Sequence, residues 1–109
     1  MNEQSPITPQ ILSVAKIETS NASRYLQQLC KHFAHKRPVS FDPNSGSISF
    51  TVGTCRLEAS NDLLTISLES ADDEQMVQLQ DVVVRHLVRF AFREELHIDW
   101  QASTASDEN

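Results

Sequence analysis

Glycine is scarce in this chain, with two in 109 residues, Gly46 and Gly53. That scarcity excludes a phosphate-cradling loop and a dinucleotide fingerprint, both of which need several glycines for close backbone approach. The two cysteines, Cys30 and Cys55, form no C-x-x-C or C-x-x-C-H pattern, which removes redox, zinc-ribbon and haem-attachment motifs. No apolar run approaches the roughly 20 residues that cross a bilayer, so a soluble chain with no membrane partner is expected. Basic residues number 9 against 15 acidic, a net charge of -6, which argues against nucleic acid, where phosphate neutralisation supplies most affinity. Nor does the amino terminus combine a basic start with an apolar stretch, as a secretory signal does, and a cytoplasmic address with reduced thiols follows.

What is present is periodicity. Ile11 to Glu18 alternates loosely and reads as a strand. Thr19-Ser20-Asn21 then offers side-chain oxygens for a helix cap, and Ala22, Leu26, Leu29, Cys30 and Phe33 recur at helical steps until Pro38. From Val39 to Glu69 the period is two, with turns expected at 42–46, at Val52-Gly53 and at 60–62. Taking Val52-Gly53 as a two-residue turn pairs Phe50 with Cys55, Ser49 with Arg56 and Ile48 with Leu57. Extended outward, Val39 lies beside Phe50, Phe41 beside Ile48, Ile66 beside Leu57 and Leu68 beside Cys55. A second helix starts at Ser70, whose spacing to Asp73 fits a capping box, and buries Met76, Leu79, Val83, Leu87 and Phe90. Leu96, Ile98 and Trp100 alternate with polar residues as a closing strand.

The expected architecture is an α+β two-layer sandwich in the order β-α-β-β-β-β-α-β. Its antiparallel sheet has one polar face, and both helices cover the other. Residues 1–10 read as a loose lead, 11–101 as one domain and 102–109 as a disordered acidic tail. The edge strands leave a homodimer open.

Chemistry-bearing residues concentrate in Cys30-Lys31-His32-Phe33-Ala34-His35. On a helix Cys30 and His32 diverge, so they cannot act as a dyad or jointly hold a metal. Cys30 and Cys55 both face the core as small buried hydrophobes. His32 and His86 sit at corresponding edges of the two buried stripes and are expected to meet across the seam, with His35 or Tyr25 near. A three-imidazole set of His32, His35 and His86 is the alternative reading, as a transition-metal or haem site. Arg85, Arg89 and Arg93 stand four apart on the second helix, and Arg24 and Lys31 project from the first. They offer a basic face for an anionic small molecule or an acidic protein. No base, nucleophile and oxyanion arrangement can be assembled, so a hydrolase or isomerase ranks last and a non-enzymatic module first.

Three blocks carry a family likeness: Arg24 to Lys36, Gly46 to Leu57, and His86 to Glu94 with Ile98 and Trp100. Together they resemble the small bacterial family catalogued as domain of unknown function 2218, over about Ile11 to Trp100. The resemblance implies a TATA-binding-protein-like α+β shape and an association with siderophore-interacting reductases and iron uptake. It brings no established activity. Its characteristic polar positions fall on Tyr25, Cys30, His32, His35, Lys36, Cys55, His86, Arg89 and Arg93.

Overall fold

The computed structural model describes residues 10–104, and the side chains of residues up to 102. The elements are β1 (Ile11–Glu18), α1 (Ala22–Phe33), β2 (Val39–Phe41), β3 (Ser45–Phe50), β4 (Gly53–Ser60), β5 (Leu63–Ser70), α2 (Asp73–Phe90) and β6 (Gln101–Thr104). The strands form one six-stranded antiparallel sheet in the order β2-β3-β4-β5-β1-β6.

Both helices pack on the same sheet face. Alternation along the strands puts Ala15, Ile17, Ile48, Cys55, Leu57, Leu64, Ile66 and Leu68 under them, each essentially without exposure. Tyr25, Leu26, Leu29 and Cys30 of α1 and Met76, Leu79, Val83 and Leu87 of α2 close this core from above. Gln80 adds a polar tie, its Nε2 donating to Ser13 Oγ at 3.0 Å. The opposite face carries Ser47, Ser49, Thr54, Arg56, Thr65 and Ser67.

The β3–β4 register differs from the expected one by two residues. The turn is Thr51-Val52, so Ile48 pairs with Cys55, Gly46 with Leu57, and Phe50 with Gly53. The same offset carries into β2, where Val39 lies beside Ile48 and Phe41 beside Gly46. A two-residue slip leaves every side chain on its original face, so period two predicts the faces without choosing between the two registers. The choice is made at Gly53, which has φ +150 and whose absent Cβ would lie 2.2 Å from the Glu69 carbonyl oxygen. Only glycine suits both that backbone and that approach. The β4–β5 register is as expected, Leu57 with Ile66 and Cys55 with Leu68.

The helix starts also differ. Asn21 makes no capping bond through its side chain. Helix α2 is capped by Asp72, whose carboxylate accepts from the Gln75 backbone N–H at 2.8 Å. Ser70 remains in β5 and donates to the Val52 carbonyl at 2.6 Å. The closing strand lies over Gln101–Thr104, paired with Ile11–Val14, and not over Leu96–Trp100. Leu96, Ile98 and Trp100 do pack against the core with exposed residues between them, which accounts for their alternation. Residues 102–104, expected in the tail, therefore belong to the sheet. The rest of that tail, 105–109, and residues 1–9 of the expected lead lie outside the described residues. No helix among the described residues is long and apolar enough to cross a membrane.

Candidate functional site

Helices α1 and α2 run side by side over the sheet, and their C-terminal ends place His32 and His86 against each other. The ring centroids are 4.8 Å apart with the planes tilted by 44°. Aromatic rings frame the pair. Phe33 lies 4.9 Å from His32 and 4.7 Å from His86, and Phe90 lies 5.8 Å from His32. Phe33 in turn packs on Phe50 of β3 at 4.9 Å, which joins the seam to the sheet.

The His86 ring is oriented by its own helix, since Nδ1 lies 2.7 Å from the Val82 carbonyl oxygen. A carbonyl only accepts, so Nδ1 carries the hydrogen and Nε2 is the nitrogen left for other partners. The exposed His32 ring is held below the ordinary imidazole pKa, first by hydration lost against these rings and then by the charges of His86, Arg89, His35 and Lys36. All four charged groups acting on it are cationic or become so on protonation. The two helix C-termini contribute about half a negative charge each. That is too little to balance the two charges of Lys36 and Arg89, so the site keeps a positive excess.

The expected binding residues therefore divide. His32, His35, Lys36, His86 and Arg89 share one cationic cluster. Arg85 is engaged with Asp81 one turn away at 3.1 Å, on the exposed side of α2. Arg93 lies over the Phe92 ring at 5.4 Å, and that ring is 76 % exposed. Tyr25 belongs to neither group. It is buried, and its hydroxyl donates to Glu94.

Glu94 is the residue that sequence reasoning missed. Its Oε2 accepts from Thr19 Oγ1 at 2.9 Å, from Asn21 Nδ2 at 3.0 Å and from the Tyr25 hydroxyl. The Tyr25 hydrogen bond and then the Asn21 one hold its carboxyl below the usual range, against some burial in the other direction. Burial first, and then Glu94 itself, raise the Tyr25 phenol. A carboxylate receiving three donors on one oxygen is a poor base, and this one ties the segment after α2 to the start of α1. Thr19 and Asn21 read from the sequence as helix-cap residues, and the partner they donate to lies more than seventy residues further on.

The three-imidazole metal set does not form: among the described residues no three His, Cys, Asp or Glu side chains gather as candidate ligands. His32 and His86 meet, but carboxylates that could orient imidazoles or offset a metal's charge are missing from the groups acting on His32. The thiols are core residues. Burial pushes Cys30 up to about 11 and raises Cys55 further, so neither is a thiolate at neutral pH.

Residues 14–101 match the family described as "Uncharacterized protein conserved in bacteria (DUF2218)". The chain belongs to this family. Its fold is shared with the NMR structure of PA4090 from Pseudomonas aeruginosa, at 38% sequence identity and a TM-score of 0.71, covering 84% of this chain and 95% of that one. No curated protein matches. In this DUF2218 chain the three sequence blocks serve different ends. Arg24 to Lys36 and His86 to Glu94 supply both the histidine seam and the Tyr25–Glu94 tie. Gly46 to Leu57 supplies the β-hairpin under α1.

Proposed function

We propose that this chain is a non-catalytic binding domain whose cationic cluster at the C-terminal ends of α1 and α2 takes a carboxylate- or phosphate-bearing ligand. One observation carries the reading: His32 and His86 meet at 4.8 Å where both helices end, with Arg89 one turn beyond His86 and His35 and Lys36 just past α1. Arg89, His35 and Lys36 are in no ion pair among the described residues, where the pairs are Arg56–Glu69 and Arg85–Asp81. Planar guanidinium and imidazolium donors suit oxyanions. An acidic protein presenting the same carboxylates would meet the same groups. The family resemblance supplies the setting: a cytoplasmic module of TATA-binding-protein-like shape, accessory to bacterial iron or siderophore handling, with a siderophore-interacting reductase as its candidate partner.

Amide chemical-shift titration with sulfate and tartrate, at low ionic strength, tests this. Shifts are expected at His32, His35, Lys36, His86 and Arg89, with affinity reduced about tenfold by Arg89→Glu and by added salt. Titration of an acidic partner protein against the same variant separates a docked protein from a free small anion. Absence of shifts, or shifts indifferent to the charge reversal, overturns the assignment.

A further inference from the structure

We infer that oxyanion binding at this cluster is coupled to proton uptake by His32, so the domain holds its anion more tightly in mildly acidic than in alkaline solution. This rests on the cationic cluster being the binding site, and it adds how that site is regulated.

The geometry makes the coupling. His32 and His86 are in ring contact at 4.8 Å, and two imidazolium ions at that spacing repel. His86 is fixed through Nδ1 to the Val82 carbonyl and cannot turn away without losing that bond. His32 is exposed and is flanked by the rings of Phe33 and Phe90, which offer no counter-charge. The charged groups facing it are His35 and Lys36 from the turn after α1, and His86 and Arg89 from α2. Phe50 of β3, which backs Phe33, brings none. Double protonation of the pair is therefore disfavoured when the site is empty.

An oxyanion beside the pair supplies the missing negative charge. In the free protein His32 is held below the ordinary imidazole value and is largely neutral at neutral pH. A bound anion raises that value, so between the free and bound values binding takes up a proton. Affinity then climbs as pH falls through this window and levels off below the free value. No carboxylate is required, and the thiols and the Glu94 tie take no part.

Sulfate is the probe, because its charge is constant from about pH 5.5 to 8 and all pH dependence then belongs to the protein. Sulfate affinity is measured by calorimetry at both ends of that range in buffers of different ionisation enthalpy, with the His32 ring proton followed by NMR. The expected result is binding about tenfold tighter at the acidic end, net proton uptake, and a His32 titration midpoint that moves up in sulfate. His32→Gln should bind with nearly flat pH dependence, while His35→Gln keeps most of it. Sulfate binding of equal strength at both pH values, or a pH slope that survives in His32→Gln, overturns the coupling and leaves the anion site standing. No sulfate binding at any pH overturns the site itself.

Discussion

Glu94 shows how a single side chain can organise a fold without any local signal. Three donors from the first third of the chain converge on one of its oxygens. Tyr25→Phe removes the donor that lowers the Glu94 carboxyl most, and loss of a hydrogen bond to a charged group here is expected to cost about 1–2 kcal/mol in urea unfolding. The tie also carries pH dependence. The folded carboxyl titrates below its ordinary value near 4.5, so its stabilisation is complete above that value and disappears as pH falls through the folded one. The stability gap between the native chain and Glu94→Gln should therefore shrink steadily on acidification below about pH 5. A gap constant across that range would show that the charge on Glu94 contributes nothing. Sequence reasoning placed the two thiols and the two meeting histidines within reach, because each follows from which face of a helix or strand a residue occupies. It had no access to Glu94, whose partners are set by how the loop after α2 returns to α1.

Between elements, the packing of α1 on β3 is governed by Gly46. A Cβ there would lie 2.7 Å from Cys30 Sγ, 3.1 Å from Phe41 Cβ and 3.4 Å from Leu26 Cδ2. Gly46→Ala is expected to destabilise by about 1–3 kcal/mol through overpacking. Cys30→Ala alone opens a small cavity and costs about 1–2 kcal/mol. In the double variant the nearest obstruction is gone, so the two effects should fall well short of additive in a denaturation cycle. Simple additivity would mean that α1 moves freely to accommodate the new methyl. In the observed β3–β4 register Gly46 pairs with Leu57 and lies under Cys30. Hydrophobic alternation allowed either of two pairings, and the positive φ of Gly53 against the Glu69 carbonyl selected one.

Across the molecule, the strand order puts β3, β4, β5 and β1 inside the sheet and leaves β2 and β6 at its edges. Backbone amides of β4 and β5 should accordingly exchange slowest with deuterium, since they open only with the whole domain, while β2 and β6 exchange through local fraying. Protection of β6 equal to that of β5 would contradict the order. One bare, serine- and threonine-bearing sheet face and one helix-covered face follow from the strand patterns. The neighbourhood of β6 and β1 does not, because pairing the last strand with the first depends on where α2 delivers the chain.

Composition and periodicity were enough for the layers, the core, the buried thiols and the element order, because alternation and helical spacing are local properties that survive any rearrangement of distant parts. The edge-to-edge meeting of His32 and His86 was also within reach, once two helices had to share one face. The Glu94 tie, the choice of register, the true closing strand and the separation of Tyr25, Arg85 and Arg93 from the cationic cluster all came from folding. Each depends on contacts between residues far apart in the chain, whose distances are set by how whole elements pack.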